Sequence, residues 1–226
     1  MDLHGKAILD YYNGELKTPL FIHNSYGEPE EMPVEVFFRE ESDFTALENC
    51  ALEACSGKVL DIGAAAGALT LALQQRGAEV TALDNSDHCV KTMHLQGVKN
   101  CIRSDIWQYR ETYDTLLVLM NGVGLAGTLA NVPMLLEKLV SLLKPGGQIL
   151  MDSSDIRYLY DEGAKIPDHY YGEISYRYAY AKELGNWFDW VYVDPTLMTS
   201  IIENCKLQMK ILHAEDTDQY LMQITR

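Results

Sequence analysis

Between residues 57 and 155, short apolar runs alternate with amphipathic ones, and this alternation restricts the fold more than any other feature. The segments "KVLDIG", "EVTALD", "KNCIRSD", "YDTLLVLMN" and "QILMDSS" read as strands. Between them, "ALTLALQQRG", "SDHCVKTMHLQG" and "VPMLLEKLVSLLK" read as helices. Gly77 and Gly97 stop two of these helices, Ser86 caps one, and Pro133 stands in the first turn of another. Strands that are apolar throughout are covered on both faces, and strands joined through helices run parallel. The expected fold is therefore α/β, with a mostly parallel sheet between two helical layers.

The flanking segments have a different character. Residues 1–56 read as helical and irregular, broken by Gly27, Pro29 and Pro33. "ESDFTALENCALEAC" reads as a helix capped by Ser42 or Asp43. In the last third, "EISYRYAYAKE" and "NWFDWVYVD" read as aromatic strands joined by a hairpin turn at "LGN". A helix beginning at Pro195 follows, then a terminal antiparallel pair, "LQMKILHAED" and "TDQYLMQITR". The expected division is a helical cap (1–56), a core (57–155), an aromatic hairpin insertion (156–194), and a C-terminal helix with antiparallel strands (195–226) that completes the core sheet.

Charge and composition narrow the function classes. The formal net charge is -15 and no basic run occurs, which disfavours nucleic acid and anionic membrane surfaces as partners. No apolar run approaches the roughly 20 residues of a membrane span. "MDLHGKAILDYYNG" has no basic segment followed by an apolar one, so a cytoplasmic protein is expected. The five cysteines are odd in number and form no C-x-x-C pair, as suits reduced thiols rather than a disulfide scaffold or a zinc ribbon. His88 and His94 lie six apart on one helix, off the spacing useful for a metal, and no metal site is expected.

The candidate site residues cluster after the strands. In "LDIGAAAG", Gly63 and Gly67 either pack the strand-to-helix turn tightly or clear space for a ligand lying on the backbone. Asp84, ending "VTALD", either accepts from ribose hydroxyls or caps the next helix. Asp105 in "SDI" either accepts from an exocyclic amine, with Ile106 or Trp107 over the ring, or caps a short helix. Asn121 and Gly122 stand where open α/β sheets bind ligands. His169, in a loop near Pro167, is a candidate base, although an exposed loop histidine is the plainer reading.

Together, "VLDIGAAAG", the acid of "VTALD", "SDI", "YDTLLVLMNG" and "LLKPGGQILMDSSD" resemble the class I, Rossmann-like methyltransferases that use S-adenosylmethionine. The resemblance implies a seven-stranded sheet with its last strand antiparallel. It further implies methyl transfer to a small-molecule acceptor by direct displacement. That family's acid-x-Gly-x-Gly-x-Gly motif is matched at Asp61, Gly63 and Gly67, with Ala65 in place of the middle glycine. A methyl group there is tolerable where the backbone keeps its normal range.

By resemblance, Asp61, Gly63, Ala64, Ala65 and Gly67 hold the amino-acid end of the cofactor, and Asp84 with Asn85 the ribose. Ser104, Asp105 and Ile106 face the adenine, and Asn121 and Gly122 lie near the sulfonium. Arg39 pairs either with the cofactor carboxylate or with a nearby glutamate. The aromatic hairpin serves as core or dimer packing, making a homodimer worth testing, or as a cage for a cationic methyl acceptor. Arg177, within it, could read a substrate carboxylate. Two alternatives stand beside this reading: an NAD-dependent oxidoreductase, whose G-x-G-x-x-G fingerprint fits worse, and a non-catalytic cofactor-binding domain.

Overall fold

A computed structural model describes residues 1–16, 18–161, 166–214 and 218–226. The chain begins with helix α1 (Leu3–Tyr12), strands β1 (Leu20–Asn24) and β2 (Glu30–Met32), and helix α2 (Ala46–Ala54). The alternating unit follows as β3 (Lys58–Ile62), α3 (Ala68–Gln75), β4 (Glu79–Asp84), α4 (Asp87–Gln96), β5 (Cys101–Arg103), β6 (Tyr113–Val118), α5 (Val132–Ser141) and β7 (Leu143–Ser154). A single turn, α6 (Tyr158–Asp161), precedes β8 (Glu173–Tyr180), β9 (Glu183–Leu184) and β10 (Phe188–Val191). Helix α7 (Pro195–Asn204) then leads to β11 (Gln208–Ala214) and β12 (Gln219–Thr225).

The main sheet has seven strands in the order β11-β12-β7-β6-β3-β4-β5. Strands β3 to β7 run parallel; β12 is antiparallel to β7, and β11 to β12. Successive side chains on a strand point to opposite faces. Accordingly, Leu116 packs with Leu135, Leu139 and Met198, beneath α5 and α7, whereas Leu117 packs with Leu47, Ala51 and Leu73, beneath α2 and α3. Both leucines are fully buried, each burial stabilising the fold by about 2 kcal/mol.

A second sheet, wholly antiparallel, lies in the order β10-β8-β1-β2, with β9 on β8. It corrects the expected helical cap over 1–56, because β1 and β2 form a hairpin whose turn holds Gly27 and Pro29. These residues break a helix, yet they also suit a turn between strands. The aromatic segment is consequently no separate hairpin: β8 pairs with β1 through Phe21–Ala179 and Ile22–Tyr178.

Two local expectations also change. The tight turn of the aromatic strands lies at Ala181 and Lys182 (φ 51° and 68°), ahead of "LGN". Two successive positive φ values match the twist of a hairpin. The cap of α2 is Thr45 rather than Ser42 or Asp43, since its hydroxyl accepts the Glu48 amide at 3.1 Å while Glu48 Oε2 accepts the Thr45 amide at 2.8 Å. This reciprocal pair satisfies two backbone donors at once.

Candidate functional site

The carboxyl ends of the parallel strands open into a cleft of about 1190 Å³, bounded on its other side by the second sheet and α1. Two glycines at the end of β3 divide the labour between packing and access. Gly63 (φ +76°) borders the cleft, and a Cβ there would meet nothing within 4 Å. Gly67 (φ +89°) stands behind the wall, where a Cβ would lie 2.9 Å from Val98 Cγ2 and 3.0 Å from Met93 Cγ. Gly67 thus packs the turn tightly, whereas Gly63 has open space beside it.

Ala65 also borders the cleft, and its φ of +52° departs from the normal range expected for a residue carrying a methyl group. The left-handed conformation costs a side-chain-bearing residue about 1 kcal/mol. Asp84 offsets this cost: its Oδ2 accepts the Ala65 amide at 3.0 Å, while its Oδ1 accepts the Ser86 amide at 2.8 Å. Burial pushes the Asp84 carboxyl up, and the two amides pull against that shift. Ser86, not Asp84, caps α4, accepting the Cys89 amide at 3.0 Å.

Asp61 and Ala64 do not border the cleft, nor does Gly67. Asp61 is 3% exposed and accepts the Thr70 hydroxyl at 2.6 Å. Burial pushes its carboxyl up to about 6. Asp61 thus sits beneath the loop, since its hydroxyl partner Thr70 lies on α3.

Farther along the strand ends, Asn85, Ser104, Asp105 and Ile106 line one stretch of the cleft. Asp105 Oδ1 accepts the Trp107 amide at 3.0 Å, so the capping role holds for a single turn. Asn121 (φ 57°) and Gly122 follow β6, and their amides donate to the two oxygens of Asp152 at 2.9 Å each. Gln219 Nε2 adds a third donor to Asp152 at 2.7 Å. Asp152 is fully buried, which pushes its carboxyl up against the pull of these donors. It escaped the sequence reading, although an acid inside the apolar run "QILMDSS" was a visible signal.

Arg39 borders the cleft with its guanidinium engaged: Nη1 and Nη2 donate to Glu48 at 3.0 and 2.6 Å, and Nε to the Val36 carbonyl at 2.9 Å. The bidentate edge expected for a cofactor carboxylate is held by this buried glutamate. Helix α1 supplies residues the sequence did not single out. Asp2 caps α1 through the Gly5 amide and also accepts from the Ser86 hydroxyl, with His88 Nδ1 at 3.1 Å. His4 stacks on Tyr178 (5.1 Å between centroids) and meets the edge of Phe37 (4.9 Å); burial lowers its pKa to about 4.

The second sheet turns Tyr176, Tyr178, Phe188, Trp190 and Tyr192 toward the cleft, with Tyr26 and Glu30 at its edge. Trp190 lies flat against Gly124, where any Cβ would overlap its ring. Arg177, one residue out of phase with Tyr176 and Tyr178, does not border the cleft; its guanidinium carbon lies 4.6 Å from the Trp187 ring centre. His169 does not border it either, its Nε2 standing 3.3 Å from the Glu173 carbonyl.

Residues 38–195 match the family described as methyltransferase domain, and the chain belongs to that family. A solved SAM-dependent methyltransferase from Bacteroides fragilis, in complex with S-adenosyl-L-homocysteine, is 37% identical, with a TM-score of 0.91 over 99% of this chain and 94% of that one. The CcbJ methyltransferase from Streptomyces caelestis shares the fold at 13% identity, with a TM-score of 0.65 over 99% of this chain and 97% of that one. Among curated relatives, the ubiquinone biosynthesis O-methyltransferase of Xanthomonas oryzae pv. oryzae (strain PXO99A) is 30% identical over 110 residues, 45% of this chain and 45% of that protein. The match thus spans less than half the length of these curated relatives. No described helix is long and apolar enough to cross a membrane.

Proposed function

We propose that this chain transfers a methyl group from S-adenosylmethionine to a small-molecule acceptor by direct displacement. The observation that carries the reading is a cleft with two unlike walls. One wall is made of strand ends and loop amides, and the other of aromatic rings. The open space over Gly63 gives a nucleoside cofactor room to approach the backbone. Bound S-adenosylmethionine supplies a methyl group on a cationic sulfur, which needs no metal or covalent nucleophile to leave.

Within this reading, Gly63 and Ala65 receive the amino-acid end of the cofactor, braced by Asp61, Ala64 and Gly67. Asp84 and Asn85 take the ribose; Ser104, Asp105 and Ile106 take the adenine; Asn121 and Gly122 flank the reacting end. The residues' task is to align the acceptor with the methyl group and to keep water out. A cytoplasmic protein with no nucleic-acid partner accords with the net charge of -15.

Calorimetric titration of the purified protein with S-adenosylmethionine, S-adenosylhomocysteine and NAD tests this assignment. Both adenosyl compounds should bind and NAD should not, and Asp84→Ala should weaken both by about tenfold or more. Binding of NAD alone would transfer the site to redox chemistry. Binding of none of the three by folded protein would favour a non-catalytic domain.

A further inference from the structure

The aromatic wall carries more chemistry than a merely greasy surface would. Tyr26, Tyr176, Tyr178, Phe188, Trp190 and Tyr192 border the cleft, and most are only partly buried although all but Tyr178 sit in the second sheet's own cluster. Tyr178 stacks on His4 at 5.1 Å and on Phe188 at 5.4 Å, and Trp190 lies against Gly124, while each of these rings also borders the cleft. The hydroxyls of Tyr176 and Tyr192 are 3.1 Å apart, and the Tyr26 hydroxyl donates to Glu30 Oε1 at 3.1 Å. Asn24 Nδ2 donates to the same Glu30 oxygen at 3.0 Å, which fixes the carboxylate at the rim.

The charges around this wall are one-sided. Of the cations on the cleft, Arg39 is bound to Glu48 at 2.6 Å, and Arg103 to Asp87 at 3.0 Å. His88 faces Asp2 at 3.1 Å. His4 is held neutral by burial between two rings. Glu30 and Asp152 have no cationic side chain in salt-bridge contact among the described residues. Apart from the Met1 α-ammonium next to α1, no lysine or arginine on the cleft is left unpaired among the described residues, and toward the second sheet an anionic acceptor would meet the carboxylates of Glu30 and Asp152. A cation would meet ring faces, whose quadrupoles attract positive charge, and a fixed carboxylate at the mouth.

We infer that the aromatic wall recognises a small organic cation, so that the acceptor carries an ammonium group apart from the uncharged lone-pair atom that takes the methyl, rather than a carboxylate or a phosphate. This assignment rests on the methyltransferase reading for its purpose, but the recognition itself resides in Glu30 and the rings. The selectivity belongs to the second sheet, and the cofactor's place to the strand ends.

Three probes of nearly equal size and different charge separate the outcomes: tetramethylammonium, tert-butanol and pivalate. Each is titrated into the intact protein, with and without saturating S-adenosylhomocysteine, while tryptophan fluorescence and ligand-observed NMR report binding. Tetramethylammonium should bind about tenfold more tightly than tert-butanol, and pivalate more weakly than either. Glu30→Gln, at an exposed position, and Phe188→Leu, which keeps an apolar side chain but removes the ring, should each lower the preference for tetramethylammonium about threefold or more. Equal binding of tetramethylammonium and tert-butanol, or tighter binding of pivalate, would overturn the inference. The titration of S-adenosylhomocysteine alone scores the methyltransferase reading. If it binds and the cation preference is absent, only the present inference fails; if it does not bind, the probe series without it still decides the wall's selectivity.

Discussion

Asp84 holds the amide of Ala65 at 3.0 Å, tying the end of one parallel strand to the loop that leaves its neighbour. The bond secures an alanine at φ +52°, in a loop whose flanking glycines are at φ +76° and +89°. Relief and strain in this loop can be separated by exchanging methyl groups. Ala65→Gly should leave the protein as stable or more stable by up to about 1 kcal/mol, since glycine adopts the conformation freely but has more unfolded-state freedom to lose. Gly63→Ala should destabilise by about 1–2 kcal/mol and weaken S-adenosylhomocysteine binding about tenfold, as its methyl group would project at the cleft. Chemical denaturation and calorimetry of the two variants measure both effects. Equal ligand affinity in the two would show that Gly63 faces no ligand.

The three donors converging on Asp152 make a second expectation. Asp152→Asn replaces one accepting oxygen with an amide that donates, placing it against the Asn121 or Gly122 amide, or against Gln219. A buried donor facing a donor should cost about 2–4 kcal/mol. The denaturation midpoint at pH 7.5 checks this. A loss below about 0.5 kcal/mol would mean that the loop after β6 does not depend on the carboxylate.

Two buried groups should give stability opposite dependences on pH. The Asp61 carboxyl titrates near 6 in the folded protein, above its ordinary 3.8, so the folded state holds its proton more tightly than the unfolded one. Its burial therefore costs nothing below the unfolded value and costs most above pH 6, by about 3 kcal/mol. Asp61→Asn should gain stability at pH 7.5 by that order, and the gain should vanish as the pH falls below 3.8. His4 runs the other way. Its folded value of about 4 lies below the ordinary 6.5, so its contribution is complete above 6.5 and is lost as the pH falls toward 4. His4→Phe keeps the ring stack and should remove about 3 kcal/mol of acid sensitivity over that window. Paired denaturation curves at pH 7.5, 5.5 and 4 measure both, and parallel curves for wild type and variant would contradict the corresponding assignment.

What the sequence disclosed follows the range of the interactions involved. The strands and helices of 57–155 are written in local periodicity and local caps, such as Ser86 for α4. The strand-end acids Asp84 and Asp105 are legible for the same reason, since position at a strand terminus is a local property. The pairing of Phe21 with Ala179 is not local, and no pattern within "LFIHN" announces its partner. Nor does a glycine state which neighbour it accommodates: Gly63 and Gly67 occupy equivalent places in the motif, yet Met93 and Val98 crowd just one of them. Thr45 and Glu48 spelled a capping box, but Ser42 and Asp43 offered equally good side chains a turn earlier.

The pairing of β1 with β8 also bears on the order in which this protein is assembled during synthesis. Ser175 donates its amide to Ser25 across 150 positions of chain. As the nascent chain leaves the ribosome, the first strand has its own short hairpin and its contacts with α1, through Leu20, but not its later partner strand. The parallel strands up to residue 154 emerge before the strand that will pair with it. The platform of strand ends is therefore available to collapse first, and the aromatic wall closes over it late. A stalled or truncated chain ending before residue 173 would carry β1 as an open sheet edge, the kind of surface that draws a newly made protein toward chaperones or aggregates.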